Sequence, residues 1–415
     1  MLLAYAEEVA EALIRHIAAA PGVKRAIVAG SYRRRKETVG DLDILVACGD
    51  SGPVMGRFVA YDEVDEVVSK GETRSTVVLR SGLQVDLRVV EAACYGAALH
   101  YFTGAKAHNI AVRTLGVHRG LKINEYGVFA GERRVSGARE ADVFAAVGLP
   151  WMAPELRENR GEIEAAREGR LPELITLDDI RGDLHVHSKA SDGKATIAEM
   201  AEAAKAKGYA YLAVTDHSRR VTIAHGLDAD RLARQIDEID RLNAESKDLV
   251  ILKGSEVDIL EDGTLDLPDS ILARLDLTVC SVHSKFGLSR ERQTERVLRA
   301  MDNPNFTIFG HPTGRLLGER AAYDIDLARI VAGARKRGCI LEVNAQPQRL
   351  DLDDVHARMA KDAGVKLAIS TDSHSVGGLA YMRFGIGQAR RGWLTAADVV
   401  NTRPLAALKR LLARP

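Results

Sequence analysis

Seven short apolar segments, each followed by a helical pattern, run through the second half of this chain, and they constrain its fold more than anything else in it. The segments are 183–187, 210–215, 249–254, 275–282, 306–309, 339–343 and 366–370. Helical periodicity fills the gaps, at 197–207, 229–245, 291–300 and 327–337 among others. An alternation of this kind predicts a parallel sheet with helices packed outside it. Closure into a barrel is the expectation, and an open doubly wound sheet is the alternative.

Metal-ligand residue types recur where those strands end. In the first, Leu184 and Val186 alternate with Asp183, His185 and His187. The two histidines therefore leave one face about 7 Å apart along the strand. The loop that follows returns Asp192, and later strand ends bring His217 (beside Asp216), Glu256, His283, His311, and the pair Asp372 and His374. The C-terminal ends of barrel strands are where such folds build their chemistry. These nine nitrogen and oxygen donors, with no cysteine among them, exceed what one tetrahedral ion takes. Two or three ions are expected, and the donor set admits Zn2+, Mn2+ or Fe2+. Ions held this way lower the pKa of water and grip phosphate oxygens, so metal-assisted hydrolysis of a phosphate ester is the chemistry these residues point to.

The first half reads differently. Residues 2–20 carry Leu2, Val9, Leu13, Ile14 and Ile17 on one helical face, closed by Pro21-Gly22. A short strand at 25–29 runs into Gly30-Ser31, whose backbone N–H groups can hold phosphates at a helix N-terminus, with Arg33 to Lys36 adding positive charge. After Gly40, a strand bears Asp41 and Asp43 on one face. Strands at 76–80 and 83–90 are joined through Ser81-Gly82, a plausible two-residue hairpin turn, and the second carries Asp86. Three carboxylates on neighbouring strands suit Mg2+, which shares its coordination with substrate phosphates. The plain alternative is a solvated Asp41-Leu42-Asp43 edge beside a basic loop. Residues 151–180, with Pro154 and Pro172 and a charged run expected to be helical at 156–168, read as a linker.

Composition narrows the class. Of 415 residues, 46% are hydrophobic, enough for packed cores in two or three domains. Lys+Arg and Asp+Glu both total 58, so no overall charge draws the chain to nucleic acid or membrane. The four cysteines lack CxxC spacing and read as reduced thiols of a cytosolic protein. No signal peptide is evident, and no apolar run approaches the ~18 residues that span a bilayer.

The Gly30-Ser31 turn, the Asp41/Asp43 pair and Asp86 resemble the palm of an X-family DNA polymerase. The likeness continues through Tyr101-Phe102-Thr103-Gly104, Asn109, Arg113 and Ile123-Asn124-Glu125-Tyr126, which resemble that family's thumb. The resemblance implies an α+β nucleotidyltransferase fold with Asp41, Asp43 and Asp86 catalytic and Mg2+ or Mn2+ as cofactor. It places Gly30, Ser31, Arg34 and Gly40 at the triphosphate, Tyr101, Phe102 and Gly104 at the sugar, and Asn109 and Arg113 at the minor-groove edge. Gln84 departs from it, standing where vertebrate members carry arginine. Lys106 departs too, replacing an acidic residue. Family members open with helix-hairpin-helix modules, whereas this sequence starts directly at the palm, so the expectation is either an earlier true start or the loss of that grip. The second half, with its HVH, TDH, GSE, SVHS, GHP and TDSH motifs, resembles the polymerase and histidinol phosphatase (PHP) domain. That likeness implies a distorted (β/α)7 barrel with a trinuclear site in which Glu256 bridges metals.

The expected domains are a palm at 1–93, a thumb at 94–150, a linker at 151–180 and a PHP domain at 181–415. The expected function is a DNA repair enzyme that adds nucleotides to gapped or 3′-recessed duplex from dNTPs and trims 3′ ends by exonuclease action. The expected location is cytoplasmic and nucleoid-associated, with no membrane and no inferable protein partner. The alternative is a small-molecule phosphatase resembling histidinol phosphatases, with an inactive or merely DNA-binding palm. Arg219, Arg220 and Arg349 are placed to meet a DNA backbone, Lys189 and Lys285 to meet a phosphate, and His225 to touch substrate near the barrel mouth.

Overall fold

The computed structural model describes residues 1–246 and 248–413, which form two units, Met1–Pro172 and Glu173–Pro415. The first unit is built on a five-stranded sheet of order β1-β2-β5-β4-β3. Its strands are β1 (Arg25–Val28), β2 (Asp41–Ala47), β3 (Val64–Lys70), β4 (Arg74–Leu79) and β5 (Gln84–Val90). Only β2 and β5 pair in parallel. Alternation puts Leu42, Ile44, Val85 and Leu87 into the core while the aspartates leave from the other face. Helix Leu3–Ala18 buries Leu3, Ala6, Ala10, Leu13 and Ile17. This stripe is rotated from the expected one, because the alanines, not Leu2 and Val9, sit against the sheet. The expected two-residue turn is a four-residue one: the strands stop at Leu79 and Gln84, and the loop closes through Gly82 at φ +78°. Strand β3, which sequence reading missed, is an edge strand so charged that its alternation is hidden.

The rest of this unit packs helices Tyr95–Thr103, Lys106–Val117 and Glu140–Ala146 around an antiparallel sheet of β6 (Leu121–Asn124), β7 (Gly127–Ala130) and β8 (Arg133–Ser136). Met152, Ile163 and Ala166 share a core with Val112, Val128 and Phe144. The first part of the expected linker is therefore not a linker. Its charges misled because they are buried in pairs: Arg157 donates to Glu140 Oε1 at 2.5 Å, and Glu162 Oε1 meets His108 Nδ1 at 2.7 Å. The helix expected at 156–168 is one 3-10 turn, Pro154–Leu156, and a short helix, Glu162–Arg167, separated by Asn159 and Gly161 in left-handed conformations.

The second unit is a seven-stranded parallel sheet in sequential order: β9 (Gly182–Val186), β10 (Tyr211–Val214), β11 (Val250–Asp258), β12 (Leu277–Ser281), β13 (Ile308–Phe309), β14 (Ile340–Asn344) and β15 (Leu367–Ser370). All seven expected strands are present. The sheet curls into a barrel in which β15 returns to β9. Val186 bridges Ser373, His187 N–H donates to Ser373 O at 2.8 Å, and Thr371 Oγ1 donates to Asp183 Oδ2 at 2.5 Å. The doubly wound alternative is excluded, since its edges would stay apart. One core cluster takes a residue from every strand, including Leu184, Tyr211, Leu252, Val279, Ile308, Ile340 and Ala368, and helix Leu405–Leu412 adds Leu408 and Leu412. Among the described residues no helix is long and apolar enough to cross a membrane, and all four cysteines are free and buried.

Candidate functional site

In the first unit, the β2/β5 register sets Asp43 directly beside Asp86 and Asp41 beside Gln84. Asp86 is buried and firmly held. Thr76 Oγ1 donates to its Oδ1 at 2.6 Å, and Gln84 Nε2 donates to its Oδ2 at 2.9 Å. Burial alone would raise the Asp86 pKa, but these donors and the Arg74 charge bring it below the usual carboxylate range. Asp43 goes the other way: burial, then the Asp41 and Asp86 charges, raise it to about 6. Asp41 is exposed, and the three carboxylates do not converge as the barrel's ligands do.

The Gly30-Ser31 turn sits against this cluster. Gly30 has φ +61°, and a Cβ there would lie 2.3 Å from Asp43 Oδ2. Only glycine lets the backbone approach so closely. Ser31 Oγ is buried without a hydrogen-bond partner, as a hydroxyl facing a phosphate site would be. The basic run is otherwise engaged. Arg33 makes a two-pronged pair with Glu140 at 2.6 and 3.0 Å, Arg34 Nε meets Glu158 at 2.9 Å while its Nη1 donates to Thr103 O at 2.8 Å, and Arg35 pairs with Glu7 at 3.0 Å. Arg34 thus serves as a clasp in this structure. Gly40 is exposed with open space around its Cβ position. In the expected sugar-contacting turn, Tyr101 and Phe102 are half-buried, and the Arg88 guanidinium lies 4.4 Å from the Phe102 ring centroid. Asn109 Nδ2 donates to the Tyr101 and Gly104 carbonyls at 2.7 and 3.1 Å, shaping that turn, whereas Arg113 is exposed.

The barrel gathers its ligand types at one end. Glu256, on β11 and buried, is surrounded by five histidines. Its Oε2 is 3.5 Å from His185 Nε2, 3.6 Å from His187 Nε2 and 2.8 Å from His217 Nδ1. Its Oε1 is 3.2 Å from His283 Nε2 and 2.8 Å from His311 Nε2. Asp372 Oδ1 lies 3.1 Å from His187 Nε2. Asp192 lies 3.5 Å from His217 and 3.4 Å from His374. Three overlapping groups have donor atoms close enough to share an ion: His187, Asp192, His217 and His374; His185, His187 and Asp372; His217, Glu256 and His283. Eight of the nine expected ligands belong to these groups, and His311 reaches them through Glu256. The residues fit divalent ions on a second count. Both ring nitrogens of His187 and Nε2 of His185 are buried with no hydrogen-bond partner, and an enclosed nitrogen left so calls for an ion.

The buried carboxylates and histidines perturb one another strongly. Burial would lower the His217 pKa, but Glu256 and Asp192 raise it to about 10, and His283 rises to about 9 for the same reason through Glu256 and Asp258. His187 falls to about 4, through burial and its His217 and His374 neighbours.

Sequence reading missed what β14 delivers. Glu342, fully buried, accepts from His311 N at 2.6 Å through Oε2 and meets His185 Nδ1 at 2.8 Å through Oε1. Asn344 Nδ2 donates to Asp372 Oδ2 at 3.1 Å. These groups orient the ligand shell. Their signal was present in Ile340-Leu341-Glu342-Val343-Asn344, two polar residues at period two in an otherwise apolar strand, the same pattern as His185 and His187. Asp216 has a similar part, accepting from Ser188 N and Oγ, Ser191 Oγ and Gln235 Nε2, and so it holds the loop that carries Asp192. Of the mouth cations, Arg349 Nε comes 3.6 Å from Asp372 Oδ2, and Lys189 and Lys285 face Glu199 and Glu261.

A nucleotidyltransferase-like sheet with a helical companion, and a seven-stranded barrel with a metal-ready end, define a chain of two phosphate chemistries. Comparison with known proteins agrees. The chain matches the DNA polymerase beta palm over residues 5–81, the DNA polymerase beta thumb over 98–158 and the PHP domain over 183–346. It is 41% identical to the Bacillus subtilis protein named DNA polymerase/3′-5′ exonuclease PolX, over 99% of this chain and 73% of the relative. Proteins named "Probable phosphatase" from Thermoanaerobacter sp. and Caldanaerobacter subterraneus are 32% and 30% identical, each over 46% of this chain and 78% and 75% of their own lengths. The chain belongs to the bacterial X-family DNA polymerases that carry a C-terminal PHP domain.

Proposed function

We propose that this protein is a DNA repair enzyme that extends DNA 3′ ends in its first unit and removes 3′-terminal nucleotides in its barrel. The observation that carries the reading is the pairing, in one chain that aligns along nearly its whole length with such an enzyme, of the Asp43/Asp86 register with the three ligand groups around Glu256. Residues 1–93 act as the palm, 94–150 with the segment through Arg167 that shares their core as the thumb, and 181–415 as the hydrolase.

In the palm, Asp41, Asp43 and Asp86 hold Mg2+ or Mn2+, and Ser31 with the backbone after Gly30 receives the triphosphate. Thr76 and Gln84 fix the Asp86 carboxylate. In the barrel, His185, His187, Asp192, His217, Glu256, His283, His311, Asp372 and His374 hold two or three Mn2+, Zn2+ or Fe2+ ions. Such ions supply Lewis acidity at a phosphodiester and a water nucleophile near neutral pH. The protein's own share is to lock His185 through Glu342 and to keep the donors within reach of one another. The substrates are dNTPs and gapped or 3′-recessed duplex.

Two single substitutions test the division. His187→Ala should abolish 3′-to-5′ degradation of labelled DNA in Mn2+ and leave nucleotide addition intact, and Asp43→Ala should do the reverse. If neither substitution removes an activity, the assignment fails. The phosphatase-named relatives favour a second reading, hydrolysis of a small phosphomonoester by the barrel. Rates on histidinol phosphate and on a 3′-recessed duplex separate the two.

A further inference from the structure

The loop at 218–227, which follows His217, ends in a side chain that packs against nothing. Ile223 is 94% exposed, the most exposed of the large hydrophobic residues described. Lone surface hydrophobes are common, but one this bare beside a proposed active site is unusual.

The loop is stiff. Ser218 bridges Leu227, and Leu227 N donates to His217 O at 2.7 Å, so both ends are pinned to a metal-ligand candidate. Thr222–Ala224 form a 3-10 turn that His225 closes in a left-handed conformation at φ +54°. A Cβ at Gly226 would fall 1.9 Å from Ser218 O, so the two limbs are in close contact. Arg231 clasps the loop from below, donating to the His225 and Gly226 carbonyls and, at 2.6 Å, to Ala190 O in the segment that carries Asp192. The tip lies four residues from the pinned base, a reach of at most ~14 Å.

Charge on the loop favours a polyanion. Arg219 and Arg220 are exposed, and among the described residues neither guanidinium has a carboxylate partner. The Arg220 backbone is fixed instead, its N–H donating to Asp266 Oδ2 at 3.0 Å.

We infer that Ile223 is a wedge that stacks on the terminal base pair of a DNA duplex and parts its 3′ nucleotide, while Arg219 and Arg220 hold the adjoining phosphates. A terminal phosphodiester cannot descend among recessed ligands while its base stays paired. Apolar side chains are used to unstack base steps in this way. The inference rests on the exonuclease reading above. Ile223 is a positioning residue and takes no part in the chemistry.

The test compares hydrolysis of a paired and an unpaired 3′ end by the full chain in Mn2+. Ile223→Ser should lower the paired-to-unpaired rate ratio about tenfold, on the order of the cost of unstacking one base step, and Ile223→Leu should keep it near wild type. Val355→Ser, an equally simple loss of an exposed apolar group on helix Asp354–Asp362, should leave the ratio unchanged. A second readout needs no hydrolysis. With EDTA present, saturating wild-type protein should brighten a 3′-terminal 2-aminopurine in duplex DNA, and Ile223→Ser should not. An unchanged ratio together with unchanged fluorescence in Ile223→Ser overturns the wedge while the exonuclease stands. No hydrolysis of either end by the wild type overturns the exonuclease, and the wedge with it.

Discussion

Gly30→Ala puts the palm geometry to a quantitative test. At φ +61° an L-residue sits in the left-handed region, which costs about 1–2 kcal/mol. The new Cβ would also stand 2.3 Å from Asp43 Oδ2 and 3.3 Å from its Cγ. A carboxylate end can swing away, so the clash adds little to the stability loss. The expected melting shift is a drop of roughly 2–8 °C for a unit of this length, read by calorimetry. The catalytic loss is larger, because the group that swings is the carboxylate that sits beside Asp86. A displacement on the order of 1 Å at a reacting centre costs roughly a hundredfold in rate. Single-turnover extension of a gapped duplex should therefore fall about a hundredfold, while 3′-end hydrolysis by the same preparation is unchanged. Gly56→Ala in helix Gly52–Val59 is the control. Its Cβ meets nothing within 4 Å, and it should gain up to about 1 kcal/mol in stability. Extension by Gly30→Ala within about threefold of wild type would refute the claim that glycine at this turn makes room for the Asp43 carboxylate.

Further outcomes follow from the same contacts. Glu342→Gln removes the charge behind His185 while keeping its shape, and it should weaken Mn2+ binding by roughly 10–100-fold in a metal titration monitored by bound metal. Glu140 is held well below its ordinary pKa: burial alone would raise it, but hydrogen bonds from Arg33 and Arg157 and their charges prevail. Its folded pKa is depressed, so its stabilisation is present above about pH 4.5 and is lost as pH falls below that. Glu140→Gln should cost about 3–5 kcal/mol at pH 7 in urea denaturation, and the gap should narrow on acidification below pH 4.5. Chelation should lower the melting temperature of the barrel, and added Mn2+ should restore it by mass action, at saturations near 100 times Kd by about 2.7 kcal/mol. Asp372→Asn should blunt that response.

The barrel was more legible than the first unit for a physical reason. Parallel strands buried on both faces read as plain apolar runs, and a polar residue at such a strand's end has no cause but function or a buried partner, so His185, His187 and Glu256 stood out. Glu342 obeyed the same rule but was passed over, because it binds ligand side chains and not a motif. In the first unit the difficulty was charge. Arg33, Arg34 and Arg157 look like solvent or phosphate residues in sequence, yet each is taken by a carboxylate distant along the chain. Pairings of that kind leave no local pattern, which is also why the segment after Trp151 read as a connector when its Met152 and Ile163 lie in a core.

The way the barrel closes has a bearing on biosynthesis. Its ligands come from both the first and the last strand, and the contact that unites those strands, Asp183 with Thr371, joins residues 188 apart. The three aspartates Asp41, Asp43 and Asp86, by contrast, all lie within the first 86 residues and on one parallel strand pair. A chain emerging from the ribosome therefore carries Asp41, Asp43 and Asp86 long before it carries the last of the barrel's grouped residues, Asp372 and His374. Chains that stop short of Asp372 lack the last strand's share of the ligand groups, whereas the strands bearing the three aspartates are already whole.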